Sequence, residues 1–169
     1  MVASLSLRVY TSTNAATESS AVTGIDFISA DNATNSLANR QANPVTVGTN
    51  SFEKHLRLYI DTAPSNSVSN FKFWTDGTGQ ANVALRAKLN VGTGGASPGT
   101  GDTTPTATAM TGDADAYTYT SGAKGTWDAT SYSAQDDVTK AMLLQLQPNG
   151  SATPGNWTQE TLNYSYDET

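Results

Sequence analysis

Apolar and polar residues alternate along several short stretches of the chain. In Ser4 to Tyr10, Leu5, Leu7 and Val9 share one phase and Ser6, Arg8 and Tyr10 the other, the period-two pattern of a strand with one buried face. Phe52 to Thr62 repeats the pattern, with Leu56, Leu58 and Ile60 set against His55, Arg57, Tyr59 and Asp61. Phe71 and Phe73 oppose Lys72 and Trp74 in Phe71 to Thr75, and Val83, Leu85, Ala87, Leu89 and Val91 oppose Ala84, Arg86, Lys88 and Asn90. Further on, Met142, Leu144 and Leu146 alternate with Leu143, Gln145 and Gln147, and Leu162, Tyr164 and Tyr166 with Asn163, Ser165 and Asp167. Each stretch predicts a strand.

Less regular stretches lie between them. Val22 to Ala30 carries Ile25, Phe27 and Ile28 and predicts another strand, and Pro44 to Gly48 a short edge strand, where proline is tolerated. Thr104 to Trp127 reads as a weaker β region holding Tyr117, Tyr119 and Trp127. Asp31 to Asn43 reads as a long ordered loop, Ala63 to Asn70 and Asp76 to Gly79 as turns, and Gly92 to Asp102 as a glycine-rich surface excursion. Ser133-Ala134-Gln135-Asp136 has the shape of a capping box and predicts the one helical turn. About eight or nine strands joined by turn-rich connections form a single all-β domain over residues 1–169, an antiparallel sandwich of jelly-roll type, with a small closed barrel as the alternative.

Composition narrows the functions. Apolar residues make up 37% and charged residues 14% of the 169 positions, with Thr, Ser, Asn and Gly filling the remainder. Glu and Lys are too scarce for long helices, and β-branched residues suit a pleated surface. A net charge of -6 argues against nucleic acid as a partner, because phosphate binding is driven by lysine and arginine. Without cysteine there are no disulfides or thiolate metal sites, so stability rests on packing or assembly. No apolar run reaches the roughly 18 residues of a membrane span, and Met1 to Arg8 lacks the basic and apolar regions of a secretory signal.

Candidate chemistry is sparse. His55, the only histidine, reads as an exposed or edge-strand residue, since catalysis or metal binding would need a convergent partner such as Asp26 or Asp61. Asp113 with Asp115, and Asp136 with Asp137, read as solvated loop acids or as contributors to a calcium site outside the EF-hand spacing. No nucleophile elbow occurs and Gly92 to Gly101 lacks the ending of a phosphate loop. Four Asn-x-Ser/Thr triplets, at Asn32, Asn149, Asn156 and Asn163, are expected by chance in so Asn-, Ser- and Thr-rich a chain. The expectation is a protein without enzymatic activity or cofactor.

The richest constellation is the polar phase of the strong strands: Arg8 and Tyr10, Arg57 and Tyr59, Lys72 and Trp74, Arg86 and Lys88. If these strands share a sheet, one face is cationic with embedded aromatics, a composition that suits a protein contact or a ring-stacking sugar site. The same residues also suit a plain solvated face. On the contact reading, Arg57→Glu with Arg86→Glu weakens partner attachment and leaves the fold intact.

The chain resembles the small structural proteins of tailed-bacteriophage virions, above all capsid decoration proteins and the β-sandwich domains of neck or tail proteins. What carries the resemblance is a strand starting almost at Met1, the Thr-, Ser-, Asn- and Gly-rich connections, the lack of cysteine, and segments such as Phe71-Lys72-Phe73-Trp74-Thr75-Asp76-Gly77 and Asn156-Trp157-Thr158-Gln159-Glu160-Thr161-Leu162. It implies a protein on the capsid surface, bound to the major capsid protein or another virion protein and assembled as a homo-oligomer, often a trimer. The alternatives are a carbohydrate-binding sandwich in which Tyr59, Trp74 or Trp157 stacks on sugars, and a glycoside-acting enzyme with two converging carboxylates.

Overall fold

A computed structural model describes residues 2–96, 103–153, 155 and 159–169. The Pro98-Gly99 and Gly101 positions, Asn156 and Trp157 lie outside the described residues. Nine antiparallel strands form two sheets: β1 (Ser4–Thr11), β2 (Thr17–Glu18), β3 (Lys54–Thr62), β4 (Val68–Thr75), β5 (Val83–Val91), β6 (Ala114–Asp115), β7 (Gly125–Asp128), β8 (Ala141–Pro148) and β9 (Leu162–Glu168). The larger sheet has the order β2-β1-β3-β8-β5-β6 and the smaller the order β7-β4-β9. The all-β sandwich expected from the alternation is therefore the fold, divided unequally into six strands and three.

The apolar phases meet between the sheets. Val9, Leu56, Leu58, Ile60, Leu85, Ala87, Met142, Leu144 and Leu146 from the large sheet pack against Phe71, Phe73 and Trp127 from the small one. Tilted and edge-on ring contacts, Phe71 with Tyr132 at 5.9 Å and Phe73 with Tyr119 at 6.0 Å, fill the layer. In β4 the buried residues are Val68, then Phe71, Phe73 and Thr75, and the step from Val68 to Phe71 breaks period two. A bulge restores the phase: the register shifts between Ser69 and Lys72, and Asn70 takes φ 55°, a left-handed conformation that asparagine tolerates. This is why β4 begins at Val68, inside the stretch that sequence reads as a turn.

Three weak sequence signals resolve differently. Val22 to Ala30 forms no strand; Ser19 and Val22 donate backbone bonds to Val9 and Leu7 along the rim of β1, after which Ile25 and Phe27 turn into the core and Ile28 is buried. Apolar content here marks burial beneath the uneven sheets, not ladder pairing. Pro44 to Gly48 is likewise a turn. The capping box at Ser133 is a turn with Asp136 at φ 69°, whereas the α-helix α1 (Leu37–Ala42) lies within the expected loop, capped by Ser36 Oγ accepting from Asn39 N at 3.1 Å. Among the described residues the remaining helical structure is two 3-10 turns, Thr13–Ala15 and Ala116–Thr118.

Two polar hubs hold the connections in place. Gln145 is fully buried on the outer face of β8; its amide donates to the carbonyls of Ser51, Thr106 and Thr108, and its Oε1 accepts from Met110 N at 3.1 Å. It thereby pins residues 106–110 across the large sheet. At the other end Asp128, also fully buried, accepts from Thr130 N at 2.8 Å, the Tyr132 hydroxyl at 2.7 Å and Lys140 N at 2.7 Å. With Trp127 Nε1 donating to Lys140 O at 2.8 Å, this joins the end of β7 to the approach of β8 and so ties one sheet to the other.

Candidate contact surface

Six of the eight residues grouped by sequence, Arg8, Tyr10, Arg57, Tyr59, Arg86 and Lys88, lie together on the outer face of the large sheet. Cross-strand pairing of Arg8 with Arg57 and of Tyr10 with His55 sets the rows. Lys72 and Trp74 do not join them, because β4 belongs to the other sheet. A single cationic face made of all eight does not form, since pairing of distant strands, which alternation leaves undetermined, decides sheet membership.

Nor is the large-sheet face an open cationic surface. Tyr10 and Arg57 have no exposed surface. Arg57 Nη1 donates to Thr93 O at 2.7 Å and Thr139 O at 2.6 Å. Thr139 N and Oγ1 are taken by Leu58 in the sheet, so its carbonyl turns to the guanidinium. Arg8 stacks over the Tyr59 ring, 3.3 Å from its centroid, and pairs with Glu18 and Asp61. Tyr10 donates to Glu18, Tyr59 to Asp136, and Arg86 pairs with Asp113. Lys88 Nζ donates to Thr111 O at 3.0 Å. The basic side chains of the strands are thus held within the molecule: Arg8 and Arg86 pair with carboxylates, and Arg57 and Lys88 donate to carbonyl oxygens. Arg57 is buried and Arg86 paired, so the double change Arg57→Glu and Arg86→Glu is now expected to disturb the fold as well as any contact.

His55 is corrected as well: it sits on an interior strand with no exposed surface, its Nε2 3.3 Å from a Glu53 carboxylate oxygen and its Nδ1 without a hydrogen-bond partner. Beside Glu53, a cleft of about 290 Å³ runs between the sheet and residues 103–111, lined by Lys88, Val91, Met110, Leu143 and threonines. Asp113 serves Arg86, Asp115 caps the 3-10 turn at Tyr117 N, and Asp137 accepts from Ala134 N. These acids are bound into turns and ion pairs.

Lys54 falls in the apolar phase of β3 and is 2% exposed, its Nζ donating to Asn32 O at 2.7 Å beneath the 22–36 segment. Burial lowers its pKa to about 8, against the raising effect of Asp31 and Asp26. Unfolded chains therefore hold more protons between about pH 8 and the ordinary value of 10.5, and stability rises with pH across that window. Tyr10, Tyr117 and Tyr132 act in the opposite sense: burial, then hydrogen bonds to Glu18, Glu160 and Asp128, raise their pKa values well above 10. Above pH 10 the folded chain keeps phenolic protons that the unfolded chain releases, and stability falls. Urea unfolding across this range is expected to show a gain on the order of 2 kcal/mol from about pH 8 to about pH 9.5, then a decline. Lys54→Met abolishes the gain and keeps the decline; an unaltered profile would rule out Lys54 as its source.

The outer face of the small sheet is different. Lys72 and Trp74 from β4 are half-buried there, flanked by exposed Lys124 and Thr126 on one side and half-buried Asn163 and Ser165 on the other. Lys124 Nζ lies 4.2 Å from the centroid of the Trp74 ring, and Lys72 Nζ donates to Thr126 Oγ1 at 2.9 Å. Asp167 closes one end, accepting from Asn70 Nδ2 at 2.8 Å. Sequence reading missed Lys124, Thr126, Asn163 and Ser165 as members of this face; the alternation of Lys124 and Thr126 with Trp127 was the available signal, but four residues of β7 are too few to separate from a loop.

Fold and surface together define a β-sandwich whose large sheet holds its basic side chains in internal ion pairs and hydrogen bonds and whose small sheet presents basic and aromatic side chains outward. The chain matches no protein-family model, no curated protein sequence and no solved structure.

Proposed function

We propose that this chain is a non-enzymatic structural protein of a tailed-phage virion, a decoration protein that binds the assembled capsid from outside and stabilises it. The resemblance of the chain to such proteins supplies the partner, the major capsid protein or another virion protein. The observation that supports a contact role is the Lys124–Trp74 stack on the outward face of the small sheet. An aromatic ring with a basic neighbour in a mostly polar surround is the composition of an interface anchor. Attachment across neighbouring capsid subunits would oppose their separation, as any ligand stabilises the state it prefers.

Co-sedimentation of the purified chain with empty tailed-phage capsids tests this reading. Binding is expected, weakening with salt because exposed charges are screened. Trp74→Ala combined with Lys124→Glu should reduce affinity about tenfold or more, with unchanged urea unfolding. Failure to co-sediment at any ionic strength would remove the capsid as the partner.

A further inference from the structure

The sandwich has four sheet edges, and three are short. The large sheet ends in the two-residue strands β2 and β6, and the small sheet ends on one side in the four-residue β7. The fourth edge is β9, seven residues long. Its backbone orientation follows from its bonds to the neighbouring chain: Thr169 exchanges both backbone bonds with Ser67, and Thr161 O accepts from Asp76 N. Alternation then turns the N–H and C=O groups of Asn163, Ser165 and Asp167 toward β4 and those of Leu162, Tyr164, Tyr166 and Glu168 outward. Among the described residues no hydrogen bond occupies those outward groups. Tyr164, on the same edge, is 38% exposed, the one aromatic among the large exposed apolar side chains of the described residues. A long open edge is a template for another strand unless charge, proline or a bulge blocks it, and β9 has no proline, no bulge of its own and charges only at one end.

We infer that β9 pairs with β9 of a second copy of this chain, antiparallel about a two-fold axis through Ser165. The sequence Leu162-Asn163-Tyr164-Ser165-Tyr166-Asp167-Glu168 is self-complementary in this register. Tyr164 lies opposite Tyr166 of the second copy, Leu162 opposite Glu168, and Asn163 opposite Asp167. Every outward-facing residue meets another outward-facing residue, so the whole edge is hydrogen-bonded. The tyrosines form aromatic cross-strand pairs that cover Tyr164, and no carboxylate faces a carboxylate. Shifting the axis by one residue leaves an outward group unpaired, and parallel pairing sets Asp167 beside Asp167 and Glu168 beside Glu168. The product is a continuous sheet β7-β4-β9-β9-β4-β7 spanning two copies. This two-fold pairing differs from the three-fold assembly that the resemblance implies, and it does not depend on what the outer face binds.

The chain has no cysteine, which makes a register test direct. In this arrangement residue 165 faces its own copy in a non-hydrogen-bonded pair with Cα atoms about 4.5 Å apart, inside the disulfide range, whereas residue 163 faces residue 167. Under mild oxidation Ser165→Cys should cross-link rapidly into covalent dimers and Asn163→Cys should not. Sedimentation equilibrium of the unmodified chain should show dimers. Tyr164→Pro, which removes an outward N–H and leaves the β4 ladder intact, should raise the dissociation constant about tenfold or more. A chain that stays monomeric at every concentration, an Asn163→Cys variant that cross-links faster than Ser165→Cys, or a dimer indifferent to Tyr164→Pro would each overturn the pairing.

Discussion

Arg57→Glu is expected to leave the chain unfolded at neutral pH. Arg57 has no exposed surface, and its Nη1 satisfies two carbonyl oxygens, Thr93 and Thr139, that the ladder of the large sheet does not. A glutamate at this position is an acceptor with no hydrogen to offer, so it sets a buried anion among carbonyl dipoles and strips both of their donor. Removing one member of a buried charged network costs about 3–5 kcal/mol, and reversing the charge adds desolvation of the new carboxylate, against a total stability on the order of 5–15 kcal/mol. Arg57→Met keeps most of the stem packing beside Tyr10 and loses only the head group; it should fold with stability reduced by about 2–4 kcal/mol. Circular dichroism of the two variants distinguishes these outcomes, and a folded Arg57→Glu with wild-type melting would show that the guanidinium is dispensable.

Asp128→Ala carries the second large effect. Three donors converge on this buried carboxylate, Thr130 N, the Tyr132 hydroxyl and Lys140 N, and alanine leaves all three unpaired. The orphaned buried Tyr132 hydroxyl costs about 1–3 kcal/mol and the two part-buried N–H groups less, a total loss of about 2–4 kcal/mol once the site relaxes. Asp128→Asn retains one acceptor oxygen and should lose roughly half as much. The two are separated by the midpoint of guanidinium unfolding. Because Tyr132 also packs on Phe71 and bonds Val68 through its backbone, the loss should spread to the Phe71 contact between the sheets, readable as loss of near-ultraviolet circular dichroism. Equal stability of Asp128→Ala and the unmodified chain would show that the clamp does not hold the layers together.

Much of the fold was legible in the sequence because a half-buried strand writes its two faces into alternate positions. β1, β3, β5, β8 and β9 follow directly from Leu5, Leu7 and Val9, from Leu56, Leu58 and Ile60, and from their counterparts. Two things were not legible. The first is pairing: β3 with β8 and β4 with β9 join residues far apart in the chain, and nothing in either strand alone names its neighbour. That placed Lys72 and Trp74 on a different surface from Arg57. The second is the fate of polar positions. Alternation marks Arg8, Arg57 and Arg86 as outside the main core, but their partners decide whether such residues meet water: Glu18 on the two-residue β2, Asp61 on β3, and Asp113 and the Thr93 and Thr139 carbonyls, brought by connections without periodicity. Apolar Val22 to Phe27 erred in the converse way, since covering a core requires apolar side chains and no ladder.

The order of pairing also bears on how the chain is made. Among β1, β2 and β3, the strands up to Thr62, β1 pairs with both β2 and β3; β3 waits for β8, and β4 finds its long partner only in β9. Ala3 N donates to the Glu168 carboxylate and the Tyr166 hydroxyl to Ala3 O, so this seam between the approach to β1 and β9 cannot close before β9 is made. A nascent chain on the ribosome would hold β3 and β4 without these partners, and Leu56, Phe71 and Phe73 incompletely covered, until β8 and β9 have emerged, an interval in which neighbouring nascent chains can misassociate.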